Sequence, residues 1–340
     1  MDNNKKYILA IESSCDDTSV SIIDTDFVCL SNITATQKIH SEYGGVVPES
    51  ASRQHEINIV PTVIKALKQA GDFSLKQMSA IAVTTHPGLL GSLLVGVSFA
   101  KGLALSLNIP LIASNHLSAH VLAHFVKRKK EDTTIDFPFL CLLVSGGNTQ
   151  IILVKSYKNM EIIGQTIDDA AGECLDKSAK ILGLPYPGGP QIDKLAKTGN
   201  PNALKLSKAN IPAYDYSFSG LKTSILYTLR DKLKEDSEYI TKNINDICAS
   251  VQQTVIDTLL IKFEKAIKDL KIKNIALAGG VSANSLLRER FLELGKKYNI
   301  DAYIPPFEYT TDNAAMVGAV GVFKYLNNDF DSIDVQVHAR

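Results

Sequence analysis

The sequence predicts an α/β protein in which one architecture is built twice, and three observations carry the prediction. Short apolar runs of strand length alternate with longer patterns of helical period along the whole chain. A series of three strands joined by tight polar turns opens the chain, and the pattern restarts near Phe137-Pro138. At 340 residues the chain exceeds one typical domain and falls short of three. The expected division is therefore a first lobe over 1–136 and a second over 137–340, with an insertion at about 166–235.

In the first lobe, strands are expected near Tyr7 to Ile11, Thr18 to Ile23 and Val28 to Ala35, followed by a helix from about Pro48 to Ala70. A strand at Ala80 to Thr84, a helix from Leu89 to Leu107 and a strand at Leu111 to Ser114 lead into a helix holding His116 and His120. The second lobe repeats the plan with strands at Phe139 to Val144, Gln150 to Val154 and Met160 to Gln165. It then inserts a segment rich in Gly, Pro and Tyr, of the kind that builds a site. A long amphipathic helix over Ile244 to Lys271, a strand at Asn274 to Ala278, a helix from near Ala283, a strand at Ala302 to Ile304 and a last helix over Asn313 to Tyr325 complete it. Three antiparallel strands plus two more alternating with helices, present twice, suggest duplicated ribonuclease-H-like domains of the actin-like ATPase kind, with the ligand in the cleft between halves.

Composition narrows the function classes. Apolar content of 45% and charged content of 21% suit an ordinary folded protein with a large core. Lys plus Arg and Asp plus Glu balance at 36 each, so no overall field draws the chain to nucleic acid or to an anionic membrane. An RNA partner must use a local patch or a companion protein. The dense basic run Lys127 to Lys130 reads as a solvated loop or a phosphate contact. No signal-length apolar stretch precedes the first strand and no run of eighteen apolar residues occurs, so a cytosolic protein without membrane attachment is expected. Five scattered cysteines without C-x-x-C spacing argue against a disulfide framework or a zinc ribbon.

Several motifs carry chemistry. The turns at Glu12 to Asp17 and at Ser145-Gly146-Gly147-Asn148 join strands with small residues whose backbone N–H groups can face a phosphate. His116 and His120 stand at i and i+4, on one helical face, where both Nε2 atoms can converge on one ion; His124 continues the stripe, and spacing alone does not choose the pair. Leu117 occupies the place of the general-base glutamate in the H-E-x-x-H protease signature, which disfavours a metallopeptidase. Gly279-Gly280 after a strand puts glycine where backbone must pass a ligand, and Asn284 beyond it can reach a ribose or an adenine, while Ser282 can cap the helix. Asp168, Asp169, Glu173 and Asp176 crowd together beside Gly188-Gly189-Pro190 and Asp193, an acid density suited to hydroxyl or metal binding or to a solvated helix start. Asp312 either caps the last helix or reaches a metal from across the gap between halves.

Eight segments in order together resemble the bacterial tRNA N6-adenosine threonylcarbamoyltransferase family. They are IESSCDDTSVSIID from Ile11, GGVVPESASRQH from Gly44, NHLSAH from Asn115, LLVSGGNTQ from Leu142, DDAAGECLDKSAKILGLPYPGGP from Asp168, YSFSGLKTS from Tyr216, GGVSANSLLRE from Gly279 and TDNAAMVG from Thr311. The resemblance implies metal ligands at His116, His120 and Asp312, leaving His124 to packing. It implies substrate contacts at Leu143, Val144, Ser145, Gly146 and Gly147 for the phosphate-side turn, and at Asp176, Gly189, Asp193 and Asn284 for the nucleoside. One divalent metal per chain is implied, iron foremost, with zinc suited to the same ligands.

The implied reaction moves the threonylcarbamoyl group of L-threonylcarbamoyl-AMP to N6 of adenosine 37 in the tRNA anticodon loop. The implied companions are a paralogous subunit and a small P-loop ATPase. Glu12 and Asp16 are candidates for a general base. An ATPase or sugar kinase of the same fold, and a non-catalytic scaffold paralogue, are the rivals; the histidine pair speaks against both. Three departures from the family pattern, His86 before Pro-Gly, Asn148 after Ser-Gly-Gly and Cys174-Leu175 before Asp176, touch the shape of two loops and the packing behind Asp176.

Overall fold

The structure, a computed structural model, describes residues 5–37, 39–209 and 211–339. It divides into two compact units, residues 1–135 together with 305–340, and residues 136–304. The first unit contains β1 (Tyr7–Glu12), β2 (Asp17–Asp24), β3 (Cys29–Thr36), α1 (His40–Tyr43), α2 (Pro48–Gln69), β4 (Met78–His86), α3 (Leu90–Leu107), β5 (Leu111–Asn115) and α4 (His116–Leu122). Its sheet runs β3-β2-β1-β4-β5, with β1 antiparallel to β2, β2 antiparallel to β3, and β4 parallel to both β1 and β5.

The second unit contains β6 (Phe139–Val144), β7 (Thr149–Ser156), β8 (Asn159–Gln165), α5 (Ala171–Ile181), α6 (Gly188–Ala196), α7 (Ser219–Glu235), α8 (Tyr239–Lys242), α9 (Ile244–Leu270), β9 (Asn274–Ala278), α10 (Ser285–Tyr298) and β10 (Asp301–Tyr303). Its sheet, β8-β7-β6-β9-β10, repeats the order and the directions of the first, so the duplication inferred from sequence is visible in the topology. Both lead strands are continuously apolar rather than alternating. Ile8 to Ile11 and Phe139 to Val144 are wholly buried, as expected for central strands covered on both faces.

The expected second lobe ran to residue 340, whereas α11 (Ala314–Leu326) packs with the first unit against β1, β2 and α4. The cause lies in the helix itself. Ala314 to Val322 are buried on every side, and small residues there let the helix lie close to a sheet. Two hydrogen bonds anchor its start: the Ala314 N–H donates to Ser19 Oγ at 2.9 Å and the Ala315 N–H to Asn32 Oδ1 at 3.2 Å. Beyond it, Asp331 accepts from the Ala113 N–H at 2.8 Å and from Lys324 Nζ at 2.6 Å, covering part of the β5 edge.

α3 is long and apolar enough to cross a membrane by length and composition alone. Here Ser92, Leu93, Gly96, Val97, Ala100 and Ala104 are buried, and the helix packs on α2 and β4. The inserted segment is more regular than its Gly and Pro content suggested. α5, α6 and α7 pack with α9 around one core, in which Tyr216 and Phe218 stack and the Tyr216 hydroxyl donates to the Leu259 carbonyl at 3.1 Å. All five cysteines are free thiols, three of them buried. In the basic run, Arg128 pairs with Glu308 at 2.7 Å and the loop closes on Asp132, which makes it a structural turn.

A pH-sensitive clasp joins α9 to α10. Lys297 at 2.7 Å, Tyr298 and Lys268 surround Glu264 and hold its carboxyl at about 2, below its ordinary 4.5. The folded value is depressed, so the contribution is fully present above pH 4.5 and is lost as pH falls toward 2. Because the lysines are more than half exposed, Glu264→Gln should cost only about 1 kcal/mol at neutral pH. The difference in urea midpoint between variant and wild type should shrink between pH 4.5 and 2.

Candidate metal centre and substrate pocket

α4 begins where it does because Asn115 caps it, its Oδ1 accepting from the Ser118 N–H at 2.8 Å. His116 and His120 follow one turn apart, with ring centroids 4.7 Å apart and planes nearly perpendicular. Asp312 Oδ1 lies 3.1 Å from His120 Nε2 and 3.4 Å from His116 Nε2. One ligand atom from each of the three residues fits within 4.8 Å of the others. Asp312 therefore approaches from within the first unit, not from the opposite half. It is free to do so because Asn313 is the residue that caps α11, accepting from the Met316 N–H at 3.1 Å. His124, in the short turn after α4, stands outside this group.

Glu12 is wholly buried at the end of β1, and its carboxylate is already engaged on both oxygens. Oε1 accepts from the Ser14 N–H at 2.6 Å; Oε2 accepts from Thr84 Oγ1 at 2.6 Å and faces His116 Nδ1 at 3.1 Å. A proton on His116 Nδ1 is thereby directed to Glu12, with Ser14 Oγ 3.0 Å away, and Nε2 is left for a ligand. Burial alone would make His116 less basic, but Asp312 and Glu12 outweigh it and hold the ring well above its ordinary value. For Glu12 and Asp312 burial acts upward, and the His116 charge overrides it, so both carboxyls are lowered. Two imidazole nitrogens and a carboxylate, with the first imidazole oriented by a second carboxylate, suit a divalent transition metal. Asp16 sits half-buried in the turn after β1. Its neighbour Asp17, absent from the sequence-based candidates, is pushed up to about 7, chiefly by burial.

The second unit holds a cavity of about 390 Å³, a size suited to a nucleoside, lined by Gly146, Asp176, Gly189, Asp193, Gly280 and Asn284 among others. The Ser145 to Asn148 turn is closed from within: the Ser145 N–H donates to the Asn148 carbonyl at 2.8 Å and the Asn148 N–H to Ser145 Oγ at 3.1 Å. Asn148 thus completes the turn by its backbone. Leu143 and Val144 are wholly buried strand residues, so only their backbone is available to a ligand, and Gly147 is not among the lining residues. Gly279, at φ +84°, serves the chain itself rather than a ligand, since a Cβ there would stand 2.5 Å from the Val144 carbonyl oxygen. Gly280 is the glycine that faces the cavity.

The acid cluster separates into distinct tasks. Asp168 receives the Phe218 N–H at 2.8 Å and the Ser217 and Ser219 hydroxyls at 2.5 and 2.7 Å, securing the start of α7. Asp169 and Glu173 pair with Lys177 at 2.7 and 2.9 Å. Asp176 Oδ1 accepts from the Gly188 and Gly189 N–H groups at 2.8 and 3.0 Å, holding the start of α6 at the cavity wall. Burial still leaves its carboxyl raised, against the opposing pull of those two bonds. Cys174 is wholly buried behind it and Leu175 lines the cavity, so the departure at this pair is accommodated as packing. His86, at the end of β4, is 2.9 Å from Thr85 Oγ1 through its own Nδ1.

Sequence reading missed Pro187, Lys194 and Lys197 on the cavity wall and Gln252 behind it. Gln252 left a trace, as a polar residue on the apolar face of α9. The lysines, on an exposed helical turn, left none.

A family model described as tRNA N6-adenosine threonylcarbamoyltransferase matches residues 28–319. Relatives bearing that name are 60% identical over 334 residues in Phocaeicola vulgatus, covering 98% of both chains. In Clostridium botulinum strain 657 the identity is 45% over 331 residues, covering 96% of this chain and 95% of the relative. Among solved structures, HypF from T. kodakarensis matches with a TM-score of 0.60 at 13% identity, over 96% of this chain and 48% of that one. The Acidaminococcus fermentans (R)-2-hydroxyglutaryl-CoA dehydratase component A matches with a TM-score of 0.54 at 15% identity, over 95% and 99%. These two structures show the actin-like ATPase fold. The match over nearly the whole chain, with the His-His-Asp group in place, means that the chain belongs to the tRNA N6-adenosine threonylcarbamoyltransferase family.

Proposed function

We propose that the chain transfers the threonylcarbamoyl group of L-threonylcarbamoyl-AMP to N6 of adenosine 37 in the anticodon loop of tRNAs reading ANN codons, forming t6A. The N6 lone pair attacks the carbamoyl carbon, the bond from that carbon to the phosphate oxygen breaks, AMP leaves, and one N6 proton is lost. The observation that carries the reading is the His116, His120 and Asp312 group, for which ATP hydrolysis by the same fold has no evident use.

The residues of the chain divide the work. The Ser145 to Gly147 turn and the Asp176, Gly189, Asp193 and Asn284 wall bind the adenylate and orient its acyl group, supplying the positioning that a weak aryl amine nucleophile needs. Glu12 holds His116 in the tautomer that offers Nε2. His116, His120 and Asp312 would hold a divalent metal, which when bound would supply Lewis acidity toward negative charge on the substrate. We assign iron to that site from the family resemblance, and the donor set accepts zinc equally.

The protein is proposed to act in the cytoplasm with a paralogous subunit and a small P-loop ATPase. α2 carries Ile57, Val60 and Ile64 at helical spacing and the adjoining α3 carries Leu90 and Leu94, all about half exposed or more, and this exposed apolar surface supports a stable partner.

The test supplies threonylcarbamoyl-AMP and unmodified tRNA to the purified chain with its companions and follows t6A by nucleoside mass spectrometry. Equal amounts of t6A and AMP are expected. ATP turnover by the chain alone without tRNA, and no t6A from the complete mixture, would establish the ATPase instead.

A further inference from the structure

We propose that Gln252 is a positioning residue that fixes the ligand-facing atoms of Asp193 and Asn284, and through them the preference of the pocket for a ribose carrying both hydroxyls. The inference rests on the reading of this pocket as a nucleotide site. Gln252 is 3% exposed and lies on the face of α9 whose neighbours Cys248, Val255 and Ile256 belong to the core. Its Nε2 is 3.0 Å from Asp193 Oδ1 and 3.3 Å from Asn284 Oδ1. A carboxylate only accepts, so the amide must turn its NH₂ toward Asp193 and its oxygen away.

Asn284 is oriented independently. Its Oδ1 caps α10 by accepting from the Leu287 N–H at 3.0 Å, which makes the other end, Nδ2, a donor. That Nδ2 is buried, on a residue of the cavity wall, without a hydrogen-bond partner among the described residues. Asp193 Oδ1 is saturated, accepting from Gln252 and from the Ser285 N–H and hydroxyl at 3.2 and 2.7 Å. Its Oδ2 takes no hydrogen bond among the described residues and is left to a ligand.

One free donor and one free anionic acceptor on residues lining the same cavity complement a vicinal diol, in which each hydroxyl both donates and accepts. The buried Oε1 of Gln252 is also unpartnered among the described residues, a standing cost that leucine or methionine would avoid. The residue is accounted for by what its NH₂ holds in place: without it, Asp193 and Asn284 bring two amide and carboxylate oxygens together with no donor between them.

Calorimetric titration of the full-length chain with AMP and with 2′,3′-dideoxy-AMP tests this. Wild type should bind AMP at least about tenfold more tightly than the dideoxy nucleotide, the scale of a buried group left unbonded. Gln252→Met, similar in length and apolar, should weaken AMP about tenfold and leave the dideoxy nucleotide nearly unchanged, so the ratio falls toward one. Gln252→Glu places a like charge against Asp193 and should collapse the ratio in the same way, giving a second reading if the methionine variant folds poorly. A residue that merely supports the fold would weaken both nucleotides equally. Variants that retain the wild-type ratio overturn the proposal while the pocket assignment stands; wild type binding neither nucleotide overturns both.

Discussion

Replacing His120 with alanine is expected to strip the metal from the chain and to lower t6A formation by about a hundredfold or more, while the fold persists. The ring is 1% exposed, its Nε2 lies 3.1 Å from Asp312 Oδ1, and its Nδ1 has no partner among the described residues, so its polar contacts are confined to the proposed metal group. Removing it takes one of the three proposed ligands and should leave a site that binds a divalent ion weakly. Loss of Lewis acidity worth several kcal/mol corresponds to a rate factor of about 10² or greater. The effect on stability should be modest by comparison, since α4 keeps its Asn115 cap and α11 its buried face. Elemental analysis of the purified variant, its melting curve and the t6A assay are read together, with His124→Ala as the control that keeps its metal. Full metal content in His120→Ala would remove this group from the function.

The repeat of strand order was legible because each half opens with strands whose length and turn residues are local properties. What was not legible is where residues 305–340 go. The all-round apolar character of α11 marks a buried helix but does not say beneath which sheet, and the deciding contacts are to Ser19 and Asn32, nearly three hundred positions earlier. Asp312 follows the same logic. From sequence it reads as a cap or a ligand, and the structure gives the cap to its neighbour Asn313.

The cavity wall was legible where its residues sit at helix starts, as Gly189 does in α6 and Asn284 at the cap of α10; Asp176 and Asp193 lie inside α5 and α6 and were marked only by the local acid density. The acid cluster misled because local density does not reveal partners: Asp168 serves α7 across fifty residues of chain, and Asp169 and Glu173 share one lysine. At Leu143 and Val144 the side chains belong to the core, so a contact there is made by backbone, which a side-chain pattern does not announce.

Glu12→Gln should separate two tasks for the residue that sequence reading offered as a base. The carboxylate accepts from the Ser14 N–H and Thr84 Oγ1 and faces His116 Nδ1, with no exposed surface. An amide of the same shape has one accepting end, so one of these donors must meet an NH₂ group, at about 1–3 kcal/mol of stability. More tellingly, His116 loses the anion that holds its proton on Nδ1. Outer partners of this kind are worth about 10- to 100-fold in metal affinity. The variant should therefore need 10- to 100-fold more free metal for half-occupancy, and its rate should recover substantially once the site is filled. A general base would behave in the opposite way: metal affinity would be preserved and the rate would stay low at saturating metal. Titrating metal into wild type and Glu12→Gln, with occupancy and t6A formation measured on the same samples, distinguishes the two. The geometry favours the first outcome, because a carboxylate with both oxygens already hydrogen-bonded and no path to solvent is poorly placed to receive a proton from tRNA.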